Sequence, residues 1–225
     1  SKLGKEIQVA AKMGGDDPDA NPRLRLALLT ARSNSMPKDR IERAVKAGAG
    51  TANDGQDFVE MRYEGYGIGG VAVIVDTLTD NKNRTAGEVR SGFSKYGGNL
   101  GESNSVGFMF DRVGQLVFSA EKADADTMFE AAVEAGADDC ESEESVHIVT
   151  CDPNNFGAVQ EALTGKFGEA EESGLIWKPN VLAEVTEDHA VTLMKMIDVL
   201  EESDDVQSVT TNLDVSEEIM EKLVS

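Results

Sequence analysis

An α+β fold is predicted: an N-terminal three-helix bundle followed by two α/β domains, one inserted in the other. Three observations carry this. Apolar residues recur at helical spacing through residues 3–45. A β-branched run, Val71-Ala72-Val73-Ile74-Val75, stands between glycine turns and reads as a buried strand. From Val113 the pattern runs strand, helix, strand, strand, helix, strand, the βαββαβ order of ferredoxin-like domains. Residues beyond 178 supply half of a second such unit, whose other half precedes Val113. The predicted boundaries are 1–54 for a basic helical bundle, 55–112 with 179–225 for a discontinuous α/β domain, and 113–178 for an inserted acidic domain.

The elements follow in order. Leu3, Ile7, Ala10 and Ala11 mark a first helix, ended by Gly14-Gly15. Asp19 or Asn21 can cap a second helix with Pro22 in its first turn, and Leu24, Leu28 and Ala31 form its inner stripe. Ser35 is the expected cap of a third helix with Ile41, Ala44 and Val45 inward; Gly48 to Gln56 reads as a linker. Phe58 to Glu64 alternates as a strand. Gly65 to Gly70 matches G-x-G-x-x-G, but a dinucleotide site needs a helix next, and a strand follows instead. The glycines therefore read as a tight strand connection.

Thr85-Ala86-Gly87-Glu88 has the form of a capping box for a helix with Val89, Phe93 and Tyr96 inward and Gly97 at its end. The preceding turn, Asp80 to Arg84, would then lie at a helix N-terminus, where free N–H groups favour phosphate and Lys82 and Arg84 add charge. In the acidic domain the predicted elements are strands at 115–119, 146–150 and 172–177, and helices at 124–134 and 156–163, the second stopped by Gly165. The tail predicts a strand at 181–185, a helix at 187–200 and a strand at 206–211.

Charge is unevenly spread. The chain carries a formal net charge of −21, yet its first 51 residues hold ten Lys/Arg against six Asp/Glu. Residues 113–178 hold three against fifteen, and residues 179–225 two against twelve. A cationic end on an acidic chain is what an anionic partner would read. No run approaches the roughly 18 apolar residues of a membrane span, no secretory leader is evident, and Cys140 and Cys151 are expected to be reduced thiols.

No nucleophile–base or metal-ligand spacing stands out. His147 reads as a surface strand residue and His189 as a first-turn helix residue. The acids at 138–141 and 201–205 read as solvated helix ends and turns, and Trp177 and the phenylalanines as core. The candidate nucleic-acid-binding set is Lys2, Lys5, Lys12, Arg23, Arg25, Arg32, Lys38, Arg40, Arg43 and Lys46, with Asn81, Lys82, Asn83 and Arg84. No cofactor, metal or small-molecule substrate is expected. A Mg²⁺-dependent hydrolase built on the acidic segments is a remote alternative, and docking of those segments on basic proteins a compatible one.

The stretches YEGYGIGGVAVIV, LTDNKNRTAGEVRSGFSKYGGNLGESNSVGFMF and IDVLEESDDVQSVTTNLD, together with SKLGKEI and NPRLRLALLTARSNSMPKDRIERAVKAG, resemble the YebC/PmpR family, which includes the mitochondrial translational activator of cytochrome c oxidase. Ile68 stands where that family often has Pro, and Lys82 where Arg is common. The resemblance implies a helical bundle plus two α/β domains and a non-enzymatic cytoplasmic protein. It implies either a translation factor on ribosomal RNA, the leading expectation, or a regulator contacting promoter DNA, with ribosomal proteins as further partners. It also implies a basic helical segment upstream of Ser1.

Overall fold

The computed structural model describes residues 1–50 and 57–224, so Thr51 to Gln56 of the expected linker lie outside the described residues. In chain order the first elements are α1 (Lys2–Gly14), α2 (Pro22–Ser33), α3 (Lys38–Gly48), β1 (Val59–Tyr66), β2 (Ala72–Thr79), α4 (Lys82–Lys95) and β3 (Asn99–Leu100). Next come β4 (Phe110–Ser119), α5 (Ala125–Ala135), β5 (Asp139–Ser142), β6 (Val146–Cys151), α6 (Phe156–Phe167) and β7 (Glu172–Pro179). The chain closes with β8 (Ala183–Glu184), α7 (Glu187–Glu202), β9 (Val206–Thr211), β10 (Leu213–Asp214) and α8 (Glu217–Val224). Two compact units result: Ser1–Phe110 with Pro179–Ser225, and Asp111–Lys178.

In the first unit, Ile7, Ala10, Leu24, Leu28, Ala31 and Ile41 form the core of the helical bundle. Asn21 fixes the α1–α2 corner. Its buried side chain accepts from the Leu24 N–H at 3.1 Å and donates to the carbonyls of Ala10 and Gly15, each at 2.8 Å. Ser35 is not a cap, contrary to expectation. It takes a left-handed φ of 57° in the turn after α2, and α3 starts behind Pro37 with no side-chain cap. Gly48 is the last residue of α3 rather than part of a linker, and α1 leaves no room there for a side chain. A Cβ would lie 2.1 Å from the Gln8 carbonyl oxygen.

The sheet of this unit has the order β3-β1-β2-β9, antiparallel throughout. β1 runs through Gly65 to Tyr66 and pairs with β2 from Val59–Thr79 to Tyr66–Ala72, so the glycine motif is a hairpin connection, turned by Gly69 and Gly70 at φ 75° and 79°. Val71, Val73 and Val75 pack with Val89 and Phe93 of α4 and Leu193, Met196 and Leu200 of α7, giving two helices over one face. Of the strand expected at 181–185 only Ala183–Glu184 forms, paired in parallel with β10.

The second unit is a four-stranded sheet in the order β5-β6-β4-β7, the ferredoxin-like arrangement, with α5 and α6 packed together. Three sequence readings change here. Gly165 lies inside α6, whose end is set by Gly168 at φ 80°. Asp139 to Glu141 is edge strand β5, not a turn. His147 is buried, its ring held by Ser142 Oγ and the Ala123 carbonyl oxygen, each at 2.7 Å. The carbonyl can only accept, so Nε2 carries a hydrogen and, in the neutral ring, Nδ1 accepts from the serine hydroxyl.

Candidate nucleic-acid interface

The expected site has two parts, and the structure joins them through a residue the sequence did not single out. α4 begins three residues before the expected box. Asn81 is its cap, accepting from the Arg84 N–H at 3.1 Å, and Lys82, Asn83 and Arg84 form the first helical turn. Thr85 lies inside the helix and is buried, because its hydroxyl has inward partners: Thr79 Oγ1 at 2.7 Å and Asp205 Oδ2 at 2.9 Å. The helix start is set by the Asn81 carboxamide, which is better placed than Thr85 to meet a free N–H.

Asp205 is the hub. It is 2% exposed and lies between α7 and β9. Arg84 grips both its oxygens, Nε to Oδ2 at 3.0 Å and Nη2 to Oδ1 at 2.8 Å, while Lys5 Nζ reaches Oδ1 at 2.9 Å. Burial alone would raise its pKa; the hydrogen bonds from Arg84, Lys5 and Thr85 outweigh this and hold it well below the usual carboxylate range. Arg84 also meets Asp80 at 2.9 Å, and its guanidinium is held charged chiefly by Asp205.

The same kind of contact ties the bundle to the sheet elsewhere. Lys2 donates to the Glu201 carbonyl, and Lys12 pairs with Asp57. Arg23 bonds Glu6 at 2.8 and 3.1 Å and Glu60 at 2.6 Å. Val9 packs with Phe58 and Leu78 between them. Arg25 closes the α1–α2 loop through the carbonyls of Pro18 and Asp19. Lys2, Lys5, Lys12, Arg23, Arg25 and Arg84 therefore have internal partners.

Arg32, Lys38, Arg40, Arg43, Lys46, Lys82 and Asn83 are exposed. Lys38 has only a 3.8 Å contact with Glu42. These side chains lie at the end of α2, along α3 and on the first turn of α4. Among the described residues no group of three or more His, Cys, Asp or Glu could hold a metal ion, and no helix is long and apolar enough to cross a membrane. Burial raises both thiols above the ordinary range, Cys151 to about 11, so neither is a ready nucleophile.

Glu64 was also missed. It is buried in β1 and accepts from the backbone N–H groups of Asn104 at 2.7 Å and Val106 at 3.4 Å, with Arg62 Nε at 3.3 Å. In the sequence it is one more polar residue at the end of an alternating strand, and only the fold places it opposite Ile74.

The fold and this surface define a class of protein: a cationic helical bundle locked by ion pairs onto an α+β body that also carries an acidic ferredoxin-like unit. Residues 1–51 match the family model of the TACO1/YebC protein N-terminal domain, and residues 58–213 that of the TACO1/YebC second and third domain, a model named for transcriptional regulators. The chain belongs to the TACO1/YebC family. It is 43% identical to a conserved hypothetical protein of Aquifex aeolicus, Aq1575, whose crystal structure superposes with a TM-score of 0.87 over 97% of this chain and 90% of that one.

Proposed function

We propose that this protein is a non-catalytic gene-expression factor that binds ribosomal RNA through the exposed cations of α2, α3 and the first turn of α4. One observation carries the reading. In a chain of net charge −21, the N-terminal bundle alone carries an excess of cations, and Arg32, Arg40 and Arg43 on it are exposed. Such side chains position a protein on phosphates without reading sequence, which suits a structured RNA. A second reading, a regulator on promoter DNA, uses the same surface and is favoured by the name of the family model for residues 58–213.

Gel retardation of large-subunit ribosomal RNA and of promoter fragments, over a salt series, separates the two. The RNA reading expects tighter retention of ribosomal RNA at every salt concentration. Tighter retention of a promoter fragment selects the second reading, and equal, steeply salt-dependent binding to all refutes specificity for either. Charge reversal of Arg32, Arg40 and Arg43 together should abolish retention with the melting temperature unchanged. Retention by that variant would sink the cationic-bundle reading.

A further inference from the structure

We propose that the outer face of α5 is a docking site for a cationic, amphipathic polypeptide segment of a partner protein. The phenylalanines read from sequence as core, yet Phe129 is 50% exposed and Val133, one turn on, is 58% exposed, while Met128, Ala131 and Ala132 of the same helix are buried. The two side chains are one helical turn apart and form a single apolar strip. Asp126 and Glu130 flank that strip, and both are exposed. The last turn of α5 holds no basic residue, so its carbonyl dipoles add to the negative field there. Lys166 reaches Glu134 only at 3.9 Å.

Charge decides the occupant. Residues 113–178 hold three cations against fifteen acids, which repels RNA, an anionic lipid surface and a second copy of the same face. Two side chains are also far too little apolar area for a stable dimer. A short segment with an apolar anchor between lysines or arginines satisfies both halves of the patch, the anchor on Phe129 and Val133 and the cations on Asp126 and Glu130.

The test uses the full chain and a fluorescent peptide of about 15 residues, four helical turns, with leucines on one face and lysines around them. Anisotropy is expected to report binding that falls about tenfold or more in Phe129→Ser/Val133→Ser, a loss of the size seen when anchor side chains are removed. Asp126→Lys/Glu130→Lys should weaken it comparably and flatten its salt dependence. Both pairs are exposed, so an unchanged circular-dichroism melt is expected and keeps the comparison valid. The proposal is overturned if affinity survives Phe129→Ser/Val133→Ser, or if a peptide with its leucines replaced by serine binds equally well. Concentration-dependent self-association lost in the same variant would assign the face to a second copy and overturn it too. Ribosomal RNA retention by this variant should match the parent, so a failure of RNA binding would fall on the bundle and leave this result to stand by itself.

Discussion

Replacing Asp205 by alanine should loosen the bundle from the sheet, and the structure sets the size of the effect. The carboxylate takes four hydrogen bonds, two from Arg84 and one each from Lys5 and Thr85. The side chain of Lys5 is 13% exposed, so the substitution leaves an ammonium in a largely dry site. Removing one partner of a buried pair costs about 3–5 kcal/mol, and the lower end applies because Lys5 keeps the Asp204 carbonyl at 2.9 Å. Arg84 is 44% exposed, retains Asp80 and is left out of the sum. At about 2–4 °C per kcal/mol for a chain of this length, the melting temperature should fall by about 6–12 °C. Scanning calorimetry reads it directly. Lys5→Met should rescue part of the loss in the double variant, since it removes the stranded charge. The folded pKa of Asp205 is depressed, so its contribution is complete above the unfolded value of about 3.9 and fades as pH falls through the folded one. The gap between parent and Asp205→Asn should therefore be full at neutral pH and narrow only in strong acid. A shift under about 1 °C, or a gap that closes on raising the pH, would refute the hub.

Three further outcomes follow from buried contacts. Glu64→Ala strands the Asn104 and Val106 amides, at about 1–3 kcal/mol for each group left unsatisfied, and limited proteolysis should then cut within residues 101–107. Gly48→Ala drives a methyl against the Gln8 carbonyl and Ala11, an overpacking worth about 1–3 kcal/mol, visible as a lowered thermal midpoint of the helical signal. Cys151, raised to about 11 chiefly by burial, should resist a disulfide reagent at pH 8 in the folded protein and react on unfolding.

Periodicity and glycine punctuation sufficed for the elements, because strands and helices that bury one face write that face into the chain. Val71 to Val75 and the end of β9 at Thr211 were readable on those grounds alone. What stayed hidden were polar side chains whose partners lie far away in sequence. Asp205 looks like one more acid in Glu201-Glu202-Ser203-Asp204-Asp205, and only the fold brings it to Lys5, two hundred residues away. Thr85 met the local rule for a cap and lost to a buried site beside Asp205. Phe129 failed in the opposite sense, since apolar identity marks a core position only when something covers it.

The candidate site was legible as a charge imbalance, but not in its division of labour, and Arg84 is where that division can be measured. At the start of a helix, beside Lys82, it looks like a phosphate ligand. To bind phosphate it would have to leave two carboxylates, one of them buried, and Asp205 would keep only Lys5 and Thr85. Lys82 and Asn83 are exposed on the same turn and surrender no such contact. The expected outcome is a crossed pair. Lys82→Gln should lower the slope of log affinity against log salt by about 0.7–0.9, one phosphate contact, with an unchanged melting temperature. Arg84→Gln should leave the slope alone and lower the melting temperature. If instead Arg84→Gln flattens the slope while the protein melts as before, the arginine serves the nucleic acid, and the latch through Asp205 is not what holds it.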